Sequence, residues 1–144
     1  MKRMLILFTV LASLVMSARR AMAQDVTVIV NDAVPVTALT VDELGHVFQK
    51  DRVRWANGLT LEPVDLAEGT HARDRFSRLV FAKTTAQVKA WWQAQIFSGK
   101  TVPPVELPSE SQVVEYVKLH AGAIAYVSAN TALTDGVRRL RVVR

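Results

Sequence analysis

The sequence predicts a single α/β domain built on a mixed sheet that helices cover on both faces. Short runs rich in β-branched residues alternate along the chain with segments whose apolar residues recur at helical spacing. Such alternation is typical of α/β proteins, in which helices shield the two faces of a sheet. No internal repeat, low-complexity segment or linker divides residues 24–144, so we expect one domain there.

The predicted strands are short apolar runs bounded by turn residues. They are expected at residues 26–31, 59–66, 104–107, 122–128 and 137–143. The turn "WANG" precedes the second strand, and its Gly58 is free to adopt positive φ.

Each predicted helix begins at a hydroxyl residue that can accept hydrogen bonds from free backbone amides. The caps are Thr40, Thr70, Thr84 and Ser109, and the helices are expected at about 41–49, 71–81, 85–98 and 110–120. Thr40 with Glu43 and Ser109 with Gln112 have the spacing of a capping box. In the second helix Phe76 is expected to face the core, whereas Arg73 and Arg78 are expected to be solvated.

The first 23 residues have the three-part pattern of a secretory signal peptide. Two cations come first, residues 4–18 are almost wholly apolar, and "AMA" at 21–23 offers a small-x-small cleavage site. The apolar run is short for a membrane span. We therefore predict export, with residue 24 as the first of the mature chain. Arg19 and Arg20 leave an uncleaved N-terminal anchor as the alternative.

The charge of the mature chain argues against nucleic-acid binding. Four of the 18 Lys and Arg residues lie before residue 24 and none of the 13 Asp and Glu do, so residues 24–144 carry a net charge of +1. Nucleic-acid binding requires a concentrated positive surface. The arginine-rich tail "RRLRVVR" is instead predicted to be an edge strand with charged outward positions. There is no cysteine, and an exported chain without disulfides favours a bacterial periplasm.

The sequence contains no catalytic or metal-binding constellation. His46, His71 and His120 are scattered over separate elements without metal-ligand spacing. The serines lie outside any nucleophile-elbow pattern, and neither common glycine-rich phosphate loop is present. We therefore predict no catalytic residue, no metal and no cofactor.

Two adjacent tryptophans lie on the third predicted helix. Trp91 and Trp92 point about 100° apart, so they cannot both face the centre of the core. Trp92 shares a stripe with Val88 and Ile96 and is predicted to be structural. Trp91 either covers a neighbouring helix or belongs to a contact surface.

Four motifs in order resemble the phosphate ABC transporter substrate-binding proteins of the periplasmic-binding-protein superfamily. They are "LTVDELGHVFQKDRVRWANG", "LEPVDLAEGTHARDRF", "WWQAQIFSGKTVPP" and "SQVVEYVKLHAGAIAYVS". With the flanking strands, the resemblance covers nearly all of residues 24–144. Members of that family are clamshells of two lobes, and this chain resembles the second, contiguous lobe. The resemblance thus implies a single lobe of a periplasmic-binding-protein-like fold, with a mixed sheet flanked by helices.

The strand-to-helix turn "PVDLAEGTHARDRF" departs from the family pattern. In the family this turn reads approximately H-R-S-D-G-S-G-T-T, and its arginine, serine and backbone amides hold phosphate. The arginine position falls on Leu66, the serine on Thr70 and the following glycine on His71. The resemblance therefore implies a phosphate loop that has lost its charged ligand.

The residues left as candidates for anion binding are Gly69, Thr70, His71 and Arg73. The free amides at a helix N-terminus remain a generic anion site. Arg73 could bend back over the helix start, although a solvated arginine is the simpler interpretation. His71 should prefer its neutral form at a helix N-terminus, where the helix dipole disfavours positive charge.

Two functions from different classes remain open. The first is an exported, non-catalytic, binding-protein-like domain that acts through protein contacts with a membrane receptor, a transporter component or a second copy of itself. The second is a weak binder of phosphate or another small oxyanion in transport or sensing, completed by dimerisation. The first is favoured because Leu66 replaces the arginine and the partner lobe has no counterpart in this sequence.

Overall fold

The computed structural model describes residues 25–144, and the predicted signal peptide at 1–23 lies outside them. The described part contains a six-stranded sheet and four helices. The strands are β1 (Val26–Asn31), β2 (Ala38–Thr40), β3 (Glu62–Leu66), β4 (Val105–Leu107), β5 (Ala123–Ser128) and β6 (Val137–Val143). The helices are α1 (Val41–Phe48), α2 (His71–Phe81), α3 (Thr85–Phe97) and α4 (Glu110–Leu119).

The sheet is mixed, as predicted. Its strand order is β2-β6-β1-β5-β3-β4. β1 runs antiparallel to both β5 and β6, whereas β3 runs parallel to β5 and β4, and β2 runs parallel to β6. The five residues from Ala123 to Val127 of β5 are all fully buried. Since successive side chains of a strand point to opposite faces, both faces of the sheet are covered at β5.

All four predicted helix caps are present. The side chains of Thr40, Thr70, Thr84 and Ser109 each accept a hydrogen bond from the third helical amide. Thr40 with Glu43 forms the expected capping box, and Thr84 with Gln87 forms another. Ser109 instead donates its hydroxyl hydrogen to the side chain of Gln112.

The prediction that the C-terminal strand is an edge strand is wrong. β6 lies between β1 and β2, because the three-residue strand β2 pairs alongside it. Within the described residues the edges of the sheet are β2 and β4. The arginines of β6 also bind loops, since Arg138 donates to the carbonyls of Val34 and Val36.

The core is centred on three aromatic rings contributed by different elements. Tyr126 of β5 stacks on Phe76 of α2, with ring centroids 3.8 Å apart and planes 7° apart. Phe48 of α1 packs against Phe76 at 4.6 Å. This cluster holds the first turns of α2 beside the carboxyl end of β3. In the described range no helix has the length and apolarity needed to cross a bilayer.

Gly122 allows the close approach of two backbone segments, and a side chain there should be destabilising. A Cβ atom at Gly122 would lie 1.7 Å from the carbonyl oxygen of Thr60. We expect Gly122→Ala to lower the free energy of unfolding by about 1–3 kcal/mol, because backbone must move to relieve the overlap. Urea denaturation of both proteins measures the difference.

A second glycine provides the matched control for Gly122→Ala. Gly45 lies inside α1, and a Cβ there would meet Val80 Cγ1 at an ordinary 3.9 Å. Gly45→Ala is expected to stabilise the protein by about 0.5–1 kcal/mol, because alanine has the higher helix propensity. Equal effects of the two substitutions would contradict the role assigned to Gly122.

Candidate anion-binding turn

The candidate site is the turn from the end of β3 to the start of α2. Leu66, the last residue of β3, is fully buried. Gly69 has a φ of +85°, a conformation that favours glycine and lets the chain reverse before the helix. Thr70 has extended backbone angles and is the N-cap of α2. The turn thus joins the carboxyl end of β3 to the capped N-terminus of α2.

The hydroxyl of Thr70 is engaged within the turn. It accepts a hydrogen bond from the Arg73 amide at 3.3 Å and donates one to the Ala67 carbonyl at 3.0 Å. These two bonds give Thr70 the role of a structural cap. An incoming anion would have to compete with the Ala67 carbonyl for the hydroxyl hydrogen.

The expectation that Arg73 is solvated is wrong. Arg73 is only 4% exposed. Its Nη1 lies 3.0 Å from Oδ2 of Asp65 and donates to the carbonyl oxygen of Leu66 at 2.9 Å. The side chain therefore does bend back toward the strand end, but there it meets a carboxylate of the same chain. Because a buried carboxylate needs a cation or several hydrogen bonds, Asp65 explains the burial of Arg73.

Tyr126 completes the buried network. Its hydroxyl donates to Oδ1 of Asp65 at 2.8 Å and accepts from the Leu66 amide at 3.2 Å. Both carboxylate oxygens of Asp65 are therefore partnered. Neither Asp65 nor Tyr126 was identified from the sequence as part of the site. The available signal was an acidic residue, Asp65, between the apolar residues Val64 and Leu66 of β3.

The electrostatics of this network keep the arginine charged. Burial is the largest single influence on Arg73 and works to lower its pKa, but Asp65, Tyr126 and Glu106 together outweigh burial, and the pKa of the guanidinium is raised. Burial raises the pKa of the Asp65 carboxyl, although Arg73 and Tyr126 favour its charged form. Burial, with Asp65 alongside, also raises the pKa of the Tyr126 hydroxyl. Tyr126 therefore remains a neutral hydrogen-bond donor.

His71 does not join this network. Its side chain is 72% exposed, and its Nε2 lies 3.9 Å from Oδ2 of Asp25. The same Asp25 oxygen lies 3.2 Å from Nη2 of Arg75, one turn further along α2. Of the four candidate residues, the structure thus places Gly69, Thr70 and Arg73 in the turn itself, and His71 on the exposed side of α2.

Carboxylates surround the turn. Besides Asp25 and Asp65, Glu106 Oε2 lies 3.7 Å from Nη1 of Arg73, and Glu68 Oε2 lies 3.1 Å from Nζ of Lys89. Each of the cations Arg73, Arg75 and Lys89 is thus within ion-pair distance of an acidic side chain. In residues 25–144 no group of three or more His, Cys, Asp or Glu side chains is arranged to hold a metal ion.

No family model matches the chain, and no curated protein matches it. Among solved structures, the chain is similar to an ABC-type phosphate transport receptor from Vibrio cholerae, with a TM-score of 0.64 at 16% identity. It is also similar to a putative phosphate ABC transporter substrate-binding protein with bound phosphate from Clostridium perfringens (TM-score 0.64, 19% identity) and to PstS from Borrelia burgdorferi (TM-score 0.62, 14% identity).

The matches cover most of this chain but less than half of each similar structure. Each covers 82% of this chain, but only 46%, 44% and 47% of the respective structures. The chain thus spans a little under half the length of the proteins that it matches. The predicted fold class is confirmed: residues 25–144 form an α/β unit with the fold of a single lobe of a periplasmic-binding-protein-like protein.

Proposed function

We propose that this chain is an exported, non-catalytic, binding-protein-like lobe that acts through protein contacts and not by holding phosphate. One observation carries the proposal. The guanidinium of Arg73, the candidate cation at the turn, is 3.0 Å from the buried carboxylate of Asp65. Asp65 therefore supplies from within the chain the negative charge that a bound oxyanion would bring.

The partners of Arg73 make its release unfavourable. An anion binding to Arg73 would displace Asp65 and leave a carboxylate buried without its cation. Breaking a buried ion pair in this way costs about 3–5 kcal/mol. That cost exceeds the roughly 0.3–1 kcal/mol that an exposed helix N-terminus contributes to anion binding.

The charge around the turn opposes an oxyanion as well. Glu68 and Glu106 are partly exposed at its rim, and Asp25 lies beside the first turn of α2. These carboxylates would repel a phosphate dianion at the distances over which surface charges interact. The same acidic rim suits contact with a basic surface on a partner protein. The partner classes that fit an exported lobe remain a membrane receptor, a transporter component or a second copy of the chain.

Export to the periplasm is part of this proposal. It is supported by the signal-like pattern of residues 1–23 and by the absence of cysteine from the sequence. The similar structures from Vibrio cholerae and Clostridium perfringens are described as a transport receptor and a transporter substrate-binding protein. The non-catalytic assignment rests on the lack of a nucleophile–base arrangement in the sequence.

Weak oxyanion binding is the second candidate, and one observation favours it. Gly69 and the free amides of α2 retain the shape of an anion-binding helix N-terminus. The similar Clostridium perfringens structure contains bound phosphate. In this chain such a site would use backbone amides and would need a second molecule to cover it.

Isothermal titration of phosphate into residues 24–144, purified without phosphate buffers, separates the two candidates. We expect no saturable heat up to millimolar phosphate, because Arg73 is held by Asp65. Sedimentation of the same sample reports whether a dimer forms. Saturable micromolar binding would overturn the proposal, and a dimer in that sample would favour the second candidate.

A positive titration can be traced to the turn with a pair of matched variants. Thr70→Ala removes the cap of α2, whereas Thr84→Ala removes the cap of α3 at a comparable stability cost of about 1 kcal/mol. Phosphate binding that weakens only in Thr70→Ala, and weakens further in raised salt, would place the anion at the candidate turn. Equal effects of the two variants would exclude that position.

A further inference from the structure

Helix α3 has an apolar side that the rest of the lobe does not cover. Val88 and Trp92 are each 5% exposed, and α3 packs mainly against α2. The predicted stripe ends there, because Ile96 is 50% exposed. At about 100° per residue, a second stripe lies on the opposite side of the helix. Its members are Ala86, Ala90, Ala94 and Phe97, all of them exposed.

The C-terminal end of α3 concentrates this exposed apolar surface. Phe97 is 93% exposed, and Val102 in the following loop is 62% exposed. Ile96 adds a third large apolar side chain beside Phe97. Single exposed apolar residues need no explanation, whereas three large ones within seven positions of the chain favour a contact surface at this end of α3. The surface is convex, because it is the outer side of a helix whose large side chain protrudes.

Basic residues predominate in the sequence of this region, although Lys89 of α3 is paired with the Glu68 carboxylate at 3.1 Å. Between Asp74 and Glu106 the sequence has five Lys and Arg residues and no Asp or Glu. Lys83 precedes α3, Lys89 lies on it and Lys100 follows it. The flanking lysines favour an anionic partner. A second copy of α3 packed on this side would bring lysines against lysines, so the charge disfavours self-association.

The polypeptide enters the lobe close to α3. Asp25, the first described residue, pairs with Arg75 at 3.2 Å. The preceding residue of α2, Asp74, accepts a hydrogen bond from Thr85 of α3 at 2.6 Å. The entry of the chain and the start of α3 therefore lie on the same turn of α2. In the sequence, the apolar run at residues 4–18 and then Arg19 and Arg20 precede Asp25, and they remain part of the protein only in the alternative of an uncleaved N-terminal anchor.

We infer that the outer side of α3 docks on an anionic phospholipid surface. Phe97 inserts among the headgroups, while Lys83 and Lys100 contact lipid phosphates, as in helices that lie in a membrane interface. A protruding phenylalanine on a convex helix suits a soft bilayer surface better than a protein groove. This inference goes beyond the proposed function, because it concerns where the lobe rests and not what its turn binds.

Vesicle co-sedimentation tests the inference. Residues 24–144 contain the complete core described above and lack the apolar run, so their binding reports on the lobe alone. We expect them to sediment with vesicles of equal parts phosphatidylglycerol and phosphatidylcholine, and not with phosphatidylcholine alone. Phe97→Ser should weaken binding about tenfold, because it removes the inserted side chain. Lys83→Gln with Lys100→Gln should also weaken it about tenfold, and raised salt should act in the same direction.

The double variant Lys118→Gln/Leu119→Ser is the matched control, since it changes an exposed lysine and a 69% exposed leucine on α4. Its vesicle binding should equal that of the parent. Failure of residues 24–144 to bind the anionic vesicles overturns the inference, as does binding that Phe97→Ser leaves unchanged. A dimer that Phe97→Ser dissociates, without vesicle binding, would instead assign this side of α3 to self-association. The phosphate titration is independent of all these outcomes.

Discussion

Replacing Arg73 with methionine is expected to lower the free energy of unfolding by about 3–5 kcal/mol, among the largest effects for a single substitution in this chain. The substitution leaves Asp65, only 7% exposed, without the guanidinium that lies 3.0 Å away. Methionine fills much of the volume of the arginine stem, so the loss reports chiefly on the unpaired carboxylate. Urea denaturation with a common m-value provides the measurement.

Two further variants distinguish the ion pair from general damage to α2. The double variant Asp65→Leu/Arg73→Met removes both charges and should recover most of the lost stability, because paired burial costs more than apolar packing. Arg78→Met changes an exposed arginine on the same helix and should stay within about 0.5 kcal/mol of the parent. Additive losses from Asp65→Leu and Arg73→Met would contradict a direct pair.

Phe76→Ala is expected to destabilise the protein by about 3–5 kcal/mol, through lost apolar burial and the cavity that remains. Phe76 is 1% exposed and lies between the rings of Tyr126 at 3.8 Å and Phe48 at 4.6 Å. Its removal also withdraws support from Tyr126, whose hydroxyl positions Asp65. Thermal and urea unfolding should both show the loss.

Phe97→Ala is the control for Phe76→Ala, because the same atoms are removed from a side chain that is 93% exposed. Its stability should stay within about 0.5 kcal/mol of the parent. A large loss in Phe97→Ala would mean that α3 packs more tightly than its exposure indicates. A loss below about 1 kcal/mol in Phe76→Ala would contradict the central place of this ring in the core.

The network of Asp65, Arg73 and Tyr126 is expected to stabilise the fold, and it includes the candidate anion-binding residue Arg73. In the turn, the Asp65 carboxylate pairs with the guanidinium of Arg73, and the Thr70 hydroxyl accepts a hydrogen bond from the backbone amide of Arg73. Two of the four candidate residues, Thr70 and Arg73, are thus engaged in contacts within the fold. A turn of this kind can keep the shape of an anion site while it serves to fasten α2 to β3.

The helices were predictable because their signals are local. A cap at Thr40, Thr70, Thr84 or Ser109 forms between residues three positions apart, so sequence spacing alone identifies it. The buried strand β5 was predictable for a similar reason, because a continuous apolar run indicates coverage on both faces. The order of four motifs was enough to indicate the family whose single lobe the fold resembles.

The edges of the sheet and the state of Arg73 were not predictable in this way. β2 is three residues long and pairs with β6 about 100 positions later, so its sequence carries little strand signal of its own. Arg73 has the helical position of a solvated residue, and it is buried because Asp65 and Tyr126 meet it from two strands.

The sequence by itself determined the α/β class and the positions of the four helix caps, because each depends on residue types at short spacing. Only the tertiary structure decided that Asp65 forms an ion pair with Arg73, since Tyr126, the third member of their network, lies 61 positions from Asp65. Burial made that pairing necessary, because a carboxylate removed from water requires a cation and hydrogen-bond donors nearby.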